Sequence, residues 1–171
     1  MRFRLWHLPV RLATGAFILN SGLNKLRSDD EEVHKGIHGM ASGAYPVFEG
    51  MDPRKFTKML GTGETALGAV LLAPFIGPGL AGAGLTAFSG ALLGLYFRTP
   101  GMTVDGIRPS HQGTALAKDS WMAAIGTALM IDAAANRLRR RSGRSAKKTA
   151  KNAGKAALAA KAAKAARSAK S

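Results

Sequence analysis

Apolar positions along the chain gather into three blocks separated by polar connections. The longest block, Gly61 to Phe97, runs 37 residues with a single charge, Glu64. A hydrocarbon core about 30 Å thick takes roughly 20 helical residues per crossing, so this block has room for two. Pro74-Phe-Ile-Gly-Pro-Gly79 in its middle stops one helix and starts the next. The pattern predicts a transmembrane helical hairpin with spans at 56–75 and 80–97. A first span is expected at 9–26, started by Pro9, with Arg11 and Lys25 near its ends, where long stems can snorkel. A fourth, shorter span is expected at 120–135, bounded by Lys118-Asp119 and interrupted by Asp132, which would pair with Arg137 or Arg139. The predicted fold class is therefore all-α: a transmembrane four-helix bundle over residues 1–135.

The polar connections are unequal. Residues 27–55 carry an acidic run, Asp29-Asp-Glu-Glu32, followed by a Gly- and Pro-punctuated stretch with Tyr45 and Phe48. This stretch reads as irregular structure at the membrane surface, and its length hints at a role. Residues 98–118 read as a second polar loop. The N-terminal lead is basic and aromatic and superficially resembles a signal peptide. It lacks a small-x-small cleavage site, so a retained first helix is expected.

Charge divides the chain in two. The formal net charge is +15. Thirteen Lys or Arg and no Asp or Glu lie in 136–171, against twelve basic and ten acidic residues before them. Four spans put both termini on one side, and the positive-inside rule places that side in the cytoplasm of a cell-membrane protein. Arg137, Arg139, Arg140, Arg141, Arg144, Lys147 and Lys148 form a juxtamembrane polybasic cluster suited to anionic lipid headgroups. The Ala/Lys-rich remainder is expected to be disordered alone and partly helical on an anionic surface. It resembles the tails of histone-like nucleoid proteins, which makes nucleic acid the rival partner, held through phosphates without base stacking.

Glycine is abundant at 21 residues, as membrane helix interfaces favour. Gly90-Ala-Leu-Leu-Gly94 is a GxxxG pattern, read as packing within the chain ahead of homodimerisation, and Gly22 is a further packing candidate. The chain has no cysteine, which excludes thiol catalysis, disulfides and Cys-ligated metal.

Candidate chemistry is sparse. Glu64 falls about two turns inside its span, where a carboxylate must be paired or protonated. It is expected in an intramembrane polar cluster with Lys25, Asn24, Lys118 and Asp119. Its two readings are a structural ion pair and a functional group: a proton relay, or a ligand for a polar head such as a quinone's. Glu31, His34 and His38 would share a face only on a helix, so they offer a weak metal-site signal and no metal is expected. No phosphate loop, dinucleotide fingerprint or nucleophile elbow is present.

Three stretches carry a family resemblance. RLATGAFILNSGLNKL (11–26), GTGETALGAVLLAPF (61–75) and KDSWMAAIGTALMIDAA (118–134) are similar to the first, second and last helices of DoxX-like membrane proteins. The resemblance covers about 9–135 and implies a four-helix integral protein of the cytoplasmic membrane. Relatives include partners of redox systems, some quinone-linked, and an oxidative-stress assembly. By position it singles out Gly22, Lys25, Glu64, Lys118 and Asp119. The expected function is a membrane component of a redox or stress complex, with quinone as the candidate cofactor and no activity of its own. The alternatives are a scaffold whose basic tail holds anionic lipid or nucleic acid, and a small proton-coupled transporter resting on Glu64.

Overall fold

The computed structural model describes residues 5–168. It is predominantly helical, with six α-helices and one very short hairpin. Helix α1 is His7–Arg27, α2 Glu31–Ala44, α3 Pro53–Leu72, α4 Pro78–Arg98, α5 Thr114–Ala117 and α6 Asp119–Ser168. Strands β1 (Thr103–Val104) and β2 (Arg108–Pro109) pair antiparallel. The chain falls into two compact units, Met1–Asp132 and Ala133–Ser171.

In the first unit, α1, α3, α4 and the start of α6 pack around Ile18, Leu71, Ala81, Leu85 and Met122. Among the described residues only α4 is long and apolar enough to cross a membrane. Charged residues and glycines lower the hydropathy of the helices at the other three expected spans.

Two glycine seams set the spacing. A Cβ on Gly22 of α1 would lie 2.6 Å from the Thr65 backbone nitrogen and 2.7 Å from the Gly61 carbonyl oxygen of α3. One on Gly68 of α3 would lie 2.6 Å from the Leu19 backbone nitrogen. The helices thus run antiparallel with backbones in contact, as small residues permit. The second seam joins α4 to α6, where a Gly82 Cβ would come 2.5 Å from the Gly126 carbonyl oxygen. The GxxxG pattern plays a different part. Gly90 has open space around it, and Gly94 receives the Tyr45 side chain, whose hydroxyl donates to the Ala91 carbonyl at 2.7 Å.

The α1/α3 pair is also cross-capped. Arg11 of α1 donates to the carbonyls of Leu71 (2.7 Å), Val70 (3.0 Å), Ala73 (2.8 Å) and Ile76 (3.0 Å). It is 5% exposed, so it turns inward rather than snorkelling outward. The open carbonyls at the C-terminus of α3 have no helical partner and carry the negative end of its dipole, which attracts the guanidinium. Lys58 of α3 returns the arrangement, donating to Leu26 (2.6 Å) and Ser28 (2.9 Å) at the end of α1.

The stretch expected to be irregular holds a helix. Asp30 caps α2, accepting from the backbone N–H groups of Glu32 (2.9 Å) and Val33 (3.4 Å). Glu31 and Glu32 occupy the first turn, where the dipole favours them. Gly39 and Gly43 are exposed, while His34, Ala41 and Ala44 are buried. Burial of that face against Phe56 of α3 and Leu95 of α4 outweighs the poor helix propensity of glycine. Asp132 Oδ2 lies 3.3 Å from His7 Nε2.

In the second unit, α6 is helical through Ser168 where disorder was expected alone. Ala-rich sequence has the highest helix propensity.

Candidate functional site

All six helices contribute to the wall of a cavity of about 530 Å³. Most of its wall is apolar: Phe17 and Ile18 from α1, Ile37 and Met40 from α2, Phe88 and Leu92 from α4. Polar groups are few: Ser21 and Lys25 of α1, Glu64 of α3, and Lys118-Asp119 at the head of α6. The helical repeat explains their arrival together. Ile18, Ser21 and Lys25 follow i, i+3, i+7 spacing on α1, and Phe56, Leu60 and Glu64 follow i, i+4, i+8 spacing on α3.

Lys25 Nζ lies 2.8 Å from Glu64 Oε2 and 2.8 Å from Ser21 Oγ. Glu64 is 4% exposed and Asp119 3% exposed. Burying a carboxylate this deep is costly without a cation and a hydrogen bond, and Lys25 supplies both for Glu64. Asp119 is the first residue of α6, where the positive end of the helix dipole favours a carboxylate. Lys118 sits over the Phe17 ring, 5.0 Å from its centre. The cavity lining therefore holds two cations and two carboxylates.

The geometry brings Lys25, Glu64, Lys118 and Asp119 to one cavity. Asn24 is exposed and lies outside it. Gly22, two residues before Asn24, serves the α1/α3 seam. A smaller groove of about 270 Å³ adjoins between α1 and α6, sharing Phe17, Lys118 and Met122 with the main cavity and bordered by Trp121. Sequence reasoning missed the contribution of α2, whose Val33, Gly36, Ile37, Met40 and Ala41 line one side of the cavity. The available signal was the apolar spacing of Val33, Ile37, Met40 and Ala41, masked by the interspersed glycines.

The weak metal candidates do not form a ligand set. Glu31 is exposed, His34 is buried, and His38 Nε2 contacts the Phe48 carbonyl at 2.8 Å. Among the described residues no group of three such side chains is placed to hold a metal ion. His34 is 2% exposed, and neither ring nitrogen has a hydrogen-bond partner. A buried polar group left unsatisfied costs about 1–3 kcal/mol. His34→Leu is therefore expected to stabilise the protein by about 1 kcal/mol, read as a higher thermal unfolding midpoint in detergent. An unchanged or lower midpoint would show that the imidazole is satisfied.

The basic cluster lies in the second unit. Arg137, Arg139, Arg140, Arg141, Arg144, Lys147 and Lys148 are all exposed on α6. No protein-family model, curated protein or solved structure matches the chain.

Proposed function

We propose that the chain is a four-span membrane protein that binds a lipophilic molecule with a neutral polar head, of the quinone class. It serves as a non-catalytic component of a redox or oxidative-stress complex. The observation that carries this reading is the cavity itself, apolar along most of its wall, with the Lys25–Glu64 ion pair and the Lys118 and Asp119 side chains lining it. Its volume falls within the range of small-molecule sites. Two lysines balanced by two carboxylates suit an uncharged head whose carbonyls accept hydrogen bonds, and the apolar wall suits a ring and the start of a tail. The Lys25–Glu64 pair favours a binding site over a proton relay, because the carboxylate already has a cation.

Membrane insertion draws support from the outer surface of the first unit. Leu12, Phe75, Leu80, Phe97 and Trp121 are all exposed, as apolar side chains facing lipid would be. The resemblance of 9–135 to DoxX-like proteins points the same way. The basic tail favours a cytoplasmic location for both termini.

Quinones quench tryptophan emission, and Trp121 borders the adjoining groove. Titrating a short-chain ubiquinone analogue into the detergent-solubilised protein is expected to give saturable quenching, absent in Trp121→Phe. Glu64→Gln and Lys25→Met should each weaken binding about tenfold, the cost of losing a charge-assisted hydrogen bond. Linear quenching that ignores both cavity substitutions would overturn the reading.

A further inference from the structure

The basic residues of the second unit are ordered, not merely numerous. Arg137, Arg141, Arg144, Lys148, Lys151 and Lys155 follow alternating steps of four and three along α6. At about 100° per residue they fall on one line, with Arg140 and Lys147 along its edge. Eight of the nine basic residues in 137–155 thus occupy an arc of about 120°, with Arg139 alone outside it. Every one is exposed. The flank beside it carries Ser142, Ser145, Thr149 and Asn152, at steps of three, four and three. The stripe extends about 27 Å along the helix at 1.5 Å per residue.

We propose that this stripe docks residues 137–155 lengthwise on a flat anionic surface, the headgroup plane of an anionic lipid bilayer, which requires α6 to bend after the span proposed at 120–135. The charge arrangement selects this partner. A helix in a nucleic-acid groove meets phosphates on both flanks and uses cations spread around its circumference. A helix on a plane uses one side only, which is the distribution here, and leaves its hydroxyl flank to water. Insertion is not part of the contact, since Leu138 is the one large apolar residue in 137–155 and it lies off the stripe. Binding is therefore electrostatic, salt-sensitive and dependent on the order of the charges rather than their number. It is independent of what the cavity holds.

The test preserves composition. In the full chain, Arg141 is exchanged with Ser142, Lys148 with Ala150 and Lys155 with Ala153, which moves three cations to the far face and leaves net charge unchanged. Native and exchanged proteins in nanodiscs of phosphatidylcholine are titrated with vesicles of phosphatidylcholine alone or with about 30% phosphatidylglycerol, and followed by flotation. Native protein is expected to bind only the anionic vesicles and to release with added salt. The exchanged protein should bind about a hundredfold more weakly, since each basic residue near the surface contributes about a factor of five. Equal binding by the two proteins would overturn the stripe in favour of charge count. Failure of native protein to bind anionic vesicles, or tighter stripe-dependent binding to a DNA duplex than to the vesicles, would overturn the lipid assignment.

Discussion

Arg11→Met is expected to cost about 3–5 kcal/mol of stability, the largest effect of any single side chain here. The guanidinium holds four backbone carbonyls at the end of α3 and its turn into α4. Hydrogen bonds involving a charged group contribute about 1.5–3 kcal/mol each, and they do not add fully. Removing the cation also leaves buried carbonyl oxygens without donors. Arg11→Lys should recover less than half of the loss. An ammonium has three donors on a single atom and cannot span the fan of acceptors that a planar guanidinium reaches. The measurement is the unfolding midpoint in a mixed-micelle denaturation series. A loss under 1 kcal/mol for Arg11→Met would place the side chain outside the turn.

Gly22→Ala is expected to destabilise the protein by about 2–3 kcal/mol, the range for overpacking a tight contact. The added methyl would meet the Thr65 nitrogen and Gly61 oxygen, which are backbone atoms and can yield only if the helices separate. Separation would also stretch the Lys25–Glu64 pair lying on the same helix face. Gly90→Ala is the matched control. Nothing lies within 4 Å of its Cβ position, so the substitution should stabilise α4 by about 0.5–1 kcal/mol through propensity alone. Both are read from the same denaturation series as Arg11→Met. Equal effects of the two alanines would mean that α1 and α3 do not pack on glycine.

These two cases show where sequence reasoning reaches its limit. Helix locations at the four expected spans were legible because apolar blocks, prolines and charge interruptions are local signals. Gly22 was visible as a packing residue, yet its partner Gly61 was not, since a seam requires two helices in a known register. The GxxxG spacing at Gly90 and Gly94 resembled a helix contact, but only one of the two glycines receives a side chain, and that side chain is Tyr45 from a connection rather than a helix. Arg11 shows the same ambiguity. From sequence, a basic residue near a span end points outward to headgroups. In the fold, the unpaired carbonyls of α3 lie within reach and draw it inward.

The candidate site divides along the same line. Lys25, Glu64, Lys118 and Asp119 stood out in the sequence because charge is rare beside long apolar runs. Their meeting at one cavity depended on the antiparallel pairing of α1 with α3 and on where α6 begins. The contribution of α2 was hidden: three glycines argue against a helix locally, and only burial against Phe56 and Leu95 reverses that balance.

The sequence by itself determined where α1, α3, α4 and the start of α6 lie, the separation of a basic tail, and which few polar residues an apolar interior would have to accommodate. These follow from composition and period, which each segment carries alone. The tertiary structure decided which glycines become seams, which cation caps which helix, and which carboxylate meets which lysine. Those outcomes depend on distances of a few ångströms between residues far apart in the chain, which no local pattern encodes.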